Sequence, residues 1–154
     1  MSHSIDKLDL KILQMISQNA RTPFLEVARE CNVSGAAIHQ RVQKMMDNGV
    51  IKGSEFIIDV SRIGYQTCAF VGVTIQNLTH YNDVVEALQQ IPEIVECHSI
   101  TGRYTLLLKI YARDNHHLMS IIMDKIGVLP GVTNTETCFI SLDEVFVRQV
   151  ASFK

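Results

Sequence analysis

Two stretches of this chain set chemically capable side chains at useful spacings. In the first, Ala36, His39, Gln40 and Gln43 recur three and four residues apart, flanked by Arg41 and Lys44. On a helix that spacing gathers the first four on one face. A glutamine amide there can pair bidentately with adenine, while Arg41 and Lys44 suit phosphates. Ser34, Gly35 and Ala36 are small, so the start of such a helix can approach a groove closely. Thr22 marks the start of a preceding helix, and backbone amides at both helix starts can hold phosphate without net charge. The plainer reading of this stretch is a solvated helix face, with Arg41 bound to an acidic neighbour such as Asp47 or Glu30. The second stretch is Thr101-Gly102-Arg103-Tyr104. A glycine between two strands exposes backbone groups able to hold an amino-acid carboxylate and ammonium. Its plainer reading is an ordinary hairpin with glycine at the turn.

Other chemistry is poorly supported. The chain has no P-loop, GxSxG, HExxH or GxGxxG pattern, and His39, His80 and His98 lack sequence neighbours that would orient them as bases. An enzyme is therefore not expected. Cys31, Cys68, Cys97 and Cys138 lie 37, 29 and 41 residues apart, so no CxxC exists, and they read as reduced, buried thiols. The tandem His116 and His117 would point about 100° apart on a helix, which is poor chelation geometry. Neither a metal nor a cofactor is expected.

The elements that must position these residues follow from periodicity. Asp6 is the expected N-cap of a first helix ending near Asn19, with Leu8, Ile12, Met15 and Ile16 inward. Thr22-Pro23 predicts a second start, with Thr as N-cap and Pro at the first helical position. A short helix from Phe24 to Cys31, the turn Asn32-Val33-Ser34, and a third helix capped by Ser34 and stopped at Gly49 complete a helix-turn-helix. Ile51 to Asp59 reads as a wing strand or linker. The composition then shifts to β-branched residues, which predicts a DNA-binding domain over 1–60 and a second domain over 61–154.

That second domain alternates. Strands are predicted at Thr67 to Gln76, Val95 to Thr101, Tyr104 to Ala112 and Val132 to Val145, with helices at Tyr81 to Ile91 and Asn115 to Gly127. The order βαββαβ predicts a ferredoxin-like sheet, so the chain as a whole is α+β. Ile91-Pro92-Glu93-Ile94 and Leu129-Pro130-Gly131-Val132 place prolines 38 residues apart, each ending a helix and launching a strand, as a duplicated βαβ half would. Both sheet faces look apolar, which predicts dimerisation through the face that the helices leave uncovered.

Composition bounds the rest. The chain has 154 residues, 47% hydrophobic and 19% charged, enough to bury a core. No apolar run approaches the ~18 residues of a membrane span, and Met1-Ser2-His3-Ser4-Ile5-Asp6 carries no basic region followed by an apolar one. A cytoplasmic location is expected, with no membrane partner. The net charge of −2 hides an asymmetry: residues 1–60 hold seven basic and seven acidic residues, residues 61–154 seven and nine. A neutral helical unit predicts few phosphate contacts per copy and reliance on several linked copies.

Leu8-Asp9 through Ile12-Leu13, Asn19-Ala20-Arg21, Val33-Ser34, Arg41-Val42 and Gly49-Val50-Ile51 together resemble the Lrp/AsnC family of transcription regulators. Gly64-Tyr65 and Thr101-Gly102-Arg103-Tyr104 resemble the family's RAM effector domain, in the form of its AsnC branch. The resemblance implies a regulator of double-stranded DNA operators that senses asparagine or another small amino acid. It also implies homodimers assembling to an octamer or similar, with the ligand between dimers. Thr101, Gly102, Arg103 and Tyr104 would line that site, with Asn134, Thr135 and Glu136 as further candidates. Two rival readings stay open: a constitutive architectural DNA binder whose second domain only oligomerises, and a metabolite-binding module without DNA binding.

Overall fold

The computed structural model describes residues 4–154, so the sequence reading at residues 1–3 lies outside them. The chain forms two compact units. One runs to Ile57 and takes in Val147–Lys154; the other is Ile58–Phe146.

The helical unit contains α1 (Lys7–Gln18), α2 (Phe24–Cys31) and α3 (Gly35–Asp47). At the start of α1 the Asp6 carboxylate accepts from Asp9 N–H at 2.8 Å, and the Asp9 carboxylate accepts from Asp6 N–H at 3.1 Å. This reciprocal capping box satisfies two otherwise orphaned donors. Asn32 takes the left-handed conformation (φ 55°), turning the chain sharply after α2. Ser34 then caps α3 by accepting from Ala37 N–H at 3.1 Å. The apolar stripes of the three helices meet in one core of Ile12, Val27, Ala28, Ile38, Val42 and Met45.

Asp9 lies inside this unit with no exposed surface. It is tolerated there because Arg41 of α3 donates to it at 2.9 Å, and the same nitrogen donates to Asp6 at 2.7 Å. Arg41 therefore ties α3 to the first turn of α1.

The second unit is a four-stranded antiparallel sheet of β1 (Thr67–Ile75), β2 (Ile94–Ser99), β3 (Leu106–Ala112) and β4 (Val132–Ser141), in the order β2-β3-β1-β4. With α4 (Tyr81–Gln89) and α5 (Asn115–Ser120) it forms the expected βαββαβ arrangement. Ala69, Val71, Val73 and Ile75 alternate inward on β1, and Leu106, Leu108, Ile110 and Ala112 do so on β3. Val84 and Leu88 of α4 and Leu118 of α5 close over them. The opposite face carries Phe70, Gly72, Leu107, Lys109, Glu96 and Glu136, by register with these partners. It is thus a mixture of apolar and charged side chains, less apolar than expected.

Several boundaries differ from the sequence reading. No strand forms between Ile51 and Asp59, and among the described residues no second strand pairs with that segment. Arg21 instead stacks its guanidinium 4.7 Å from the Phe56 ring. Pro23, not Thr22, takes the N-cap position of α2, and the Thr22 hydroxyl donates to Asn19 C=O at 2.8 Å. A π-turn at Ile121–Ile126 follows the short α5, and Lys125 on it donates to Glu93 at 3.0 Å. β4 ends at Ser141 rather than Val145, and the last eight residues group with the helices instead of the sheet. None of the four cysteines is fully buried: Cys97 is exposed, the other three are half-buried, and all are unbridged. No helix among the described residues is long and apolar enough to cross a membrane.

Replacing Arg41 by Ala removes the cation that faces the buried Asp9 carboxylate. A fully buried pair loses ~3–5 kcal/mol on such a break, and with Arg41 a third exposed we expect about 2 kcal/mol, read as a lower urea midpoint of the helical signal. The Asp6 carboxyl is held below the usual carboxylate range, chiefly by Asp9 N–H and then by Arg41. Its stabilising contribution is therefore complete above about pH 3.9 and disappears as pH falls through the lowered folded value. The acid unfolding transition of Arg41→Ala should accordingly lie at higher pH than that of the parent chain.

Candidate DNA interface and ligand loop

The face of α3 opposite its buried stripe presents Ala36, His39, Gln40, Gln43 and Lys44 to solvent. The structure thus gathers these predicted residues on one exposed surface. They are not equivalent. The His39 ring meets Phe24 edge-on at 4.5 Å, which fixes its position. Gln43 donates to Asp47 at 2.9 Å, one helical turn on. Gln40 and Lys44 make no side-chain hydrogen bond or ion pair among the described residues, so they are available to a partner. Ser34 and Gly35 sit at the helix start beside Leu25 and Arg29, around an open groove. A Cβ at Gly35 would lie 3.3 Å from Leu25 Cδ2, so the helix start packs closely on α2.

Arg41 departs from the expected phosphate role. Its guanidinium is turned to Asp6 and Asp9, and those two carboxylates raise its pKa further. The acidic partners differ from the Asp47 or Glu30 that sequence proximity suggested. Thr22 is half-buried in the loop before α2, with its hydroxyl on Asn19, so it offers no free cap.

In the sheet unit, β2 and β3 stop short of the predicted turn, leaving a six-residue connection from Ile100 to Thr105. Thr105 at the end of this connection is held on β1. Its backbone N–H donates to Val73 C=O at 2.9 Å, and its hydroxyl accepts from Ile75 N–H at 3.0 Å, drawing it onto β1. Thr101, Gly102 and Arg103 are exposed on the loop, and Gly102 adopts φ 116°, which a side chain would strain.

Tyr104 returns over the uncovered sheet face. A Cβ at Gly72 would lie 2.5–2.7 Å from three atoms of its ring, so the ring occupies the place of a side chain on β1. Glu136 pairs in register with Gly72, on the face over which Tyr104 lies. The neighbouring Glu136 carboxylate is the main reason the Tyr104 phenol pKa is pushed up to about 12. Arg103 reaches Glu136 at 3.3 Å and lies 5.7 Å from the Tyr104 ring centroid.

Arg103, Tyr104 and Glu136 are therefore one cluster. Asn134 shares their sheet face at the start of β4, while Thr135 pairs with buried Val73 and belongs to the helix-covered face. Gly72 was missed at the sequence level. Its signal was present, since a lone glycine inside a strand marks a close approach. Among the described residues no group of His, Cys, Asp and Glu could hold a metal ion.

Comparison with known proteins gives matches over both units. A family model described as the Lrp/AsnC ligand-binding domain matches residues 68–149, and one described as a winged helix-turn-helix DNA-binding domain matches residues 5–52. The chain is 37% identical over 148 residues to the regulatory protein AsnC of Haemophilus influenzae, covering 96% of this chain and 98% of that one. It is 30% identical over 139 residues to the regulatory protein AsnC of Escherichia coli, covering 90% and 91%. The solved structure of E. coli AsnC matches with a TM-score of 0.87 at 30% identity, over 96% of this chain and 99% of that chain. A Neisseria meningitidis transcriptional regulator, at 22% identity and a TM-score of 0.86 over 94% of each chain, shows the same fold. Its relatives are regulators by name rather than enzymes. With its helix-turn-helix and its ligand-binding domain, this chain is a transcriptional regulator that belongs to the Lrp/AsnC family.

Proposed function

We propose that the chain binds operator DNA through the exposed face of α3 and senses a free amino acid, asparagine or another small one, at the Thr101–Tyr104 loop. The observation that carries the DNA reading is the pair Gln40 and Lys44. Both are exposed on a capped helix, beyond a start of small residues, and uncommitted among the described residues. Gln40 is placed to read a base edge and Lys44 to take a phosphate, with His39 and Gln43 beside them. Arg41 is spent inside the unit, which lowers the number of phosphate contacts further. In this reading a single helical unit binds a half-site weakly and gains useful affinity from linked copies.

Linked copies follow from the sheet unit in this reading. Phe139 is 70% exposed on a face that also holds Leu107 and Phe70. A second copy covers that face to form a homodimer, and dimers assemble to an octamer or similar. The amino acid binds between dimers and biases that assembly by its differential affinity for the alternative arrangements. No metal or other cofactor enters this mechanism.

Two measurements test it. With an operator fragment selected from random sequence by the parent protein, Gln40→Ala should cost about 1–3 kcal/mol and relax preference at one base pair. Lys44→Ala should weaken binding to all sequences alike and lower the salt slope by about one per bound copy. Normal binding by both variants would remove α3 as the reader. Separately, light scattering of the full chain with each of the twenty amino acids should show at least one that changes mass or shape. Identical assembly and operator affinity with all twenty would sink the sensing mechanism.

A further inference from the structure

Resting on α3 as the reader helix, we propose that Leu25 of α2 is a further base-reading residue. It takes the 5-methyl group of one thymine in the major groove.

An exposed leucine by itself carries no message, since single apolar side chains are common on protein surfaces. The placement of this one does. α2 turns Val27 and Ala28 into the helical core and leaves Leu25 67% exposed in its first turn. That turn runs alongside α3. The Phe24 ring meets His39 at 4.5 Å, and Leu25 Cδ2 lies 3.3 Å from where a Cβ at Gly35 would stand. Leu25 therefore flanks the first residue of α3, one turn ahead of His39 on the reader face. In helix-turn-helix docking the N-terminal residues of the second helix meet base edges, while the preceding helix crosses the backbone. The end of α3 beside Leu25 is thus the end at which bases are read.

The chemistry at that end is suited to one kind of edge. Ser34, Gly35 and Ala36 offer little side chain, which leaves Leu25 as the large exposed apolar group beside them. Its close packing on Gly35 restricts the side chain, so little freedom is lost on contact. Arg29, one turn further along α2, lines the same open groove as Ser34 and Gly35, and its cation suits a phosphate at the groove edge. Leucine has neither donor nor acceptor. Against an amino, carbonyl or ring-nitrogen edge it strips water and restores no hydrogen bond. Thymine alone presents a methyl group in the major groove, so apolar contact selects it.

The test uses the full chain and an operator fragment selected from random sequence by the parent protein. Each thymine of one half-site is replaced in turn by uracil, which pairs identically but lacks the methyl group. One replacement should weaken the parent chain roughly three- to tenfold, as loss of a buried methyl contact implies. Leu25→Ala should bind the thymine fragment more weakly and no longer distinguish uracil at that position, while the other replacements act as they do on the parent. Leu25→Gln, which keeps the bulk, should lose the same distinction. The position is exposed, and unchanged melting temperatures confirm intact folding. If every uracil replacement acts alike on parent and variants, the thymine contact is overturned, and weaker binding by the variants then places Leu25 against the sugar–phosphate edge. In that case α3 stands as the reader so long as Gln40→Ala still loses affinity. Parent-like binding by both Gln40→Ala and Lys44→Ala removes α3 as the reader, and this proposal with it.

Discussion

A buried carboxylate sets the terms for the helical unit. Asp9 has no exposed surface, and a lone charge in that position is too costly to keep. Arg41 resolves the problem from the other side of the unit. Its nitrogen reaches both Asp9 and the capping residue Asp6, so one guanidinium joins the start of α1 to the middle of α3. Apolar packing alone is non-directional, and a core of Ile12, Ile38 and Met45 tolerates small rotations of α3. A charged pair with fixed geometry does not. The face that α3 turns to solvent is therefore set partly by a contact far from that face.

The same economy governs the charges outside. A reader helix with Arg41 and Lys44 looks basic in isolation, but Arg41 faces two acids of its own unit. What α3 leaves exposed is Lys44 and the polar side chains beside it.

The sheet unit solves a different problem with its two faces. The helix-covered face is uniformly apolar and supplies the core. The other face interleaves Phe70, Leu107 and Phe139 with Lys109, Glu96 and Glu136. Gly72 is the position where this face is thinned, and Tyr104 uses the space to bring the loop down onto β1. One missing side chain thus couples the loop, the strand and the Glu136 carboxylate.

The sequence by itself determined the elements and their order. Periodic apolar residues, the caps Asp6 and Ser34, the left-handed Asn32 and the prolines that launch β2 and β4 are local signals, and the chain obeys them almost to the residue. The exposed face of α3 was legible for the same reason, since helical periodicity assigns faces without reference to a fold. Tertiary structure decided what depends on residues distant in the chain. Arg41 found Asp6 and Asp9, more than thirty positions away, rather than its sequence neighbours. Thr105 is held on β1 across thirty residues of chain, and Tyr104 settled on Gly72. The segment after Ile51 stayed out of any strand, because a strand exists only where a second one pairs with it. Periodicity records which way a residue faces along its own element. It holds no record of which charge, ring or strand will stand opposite.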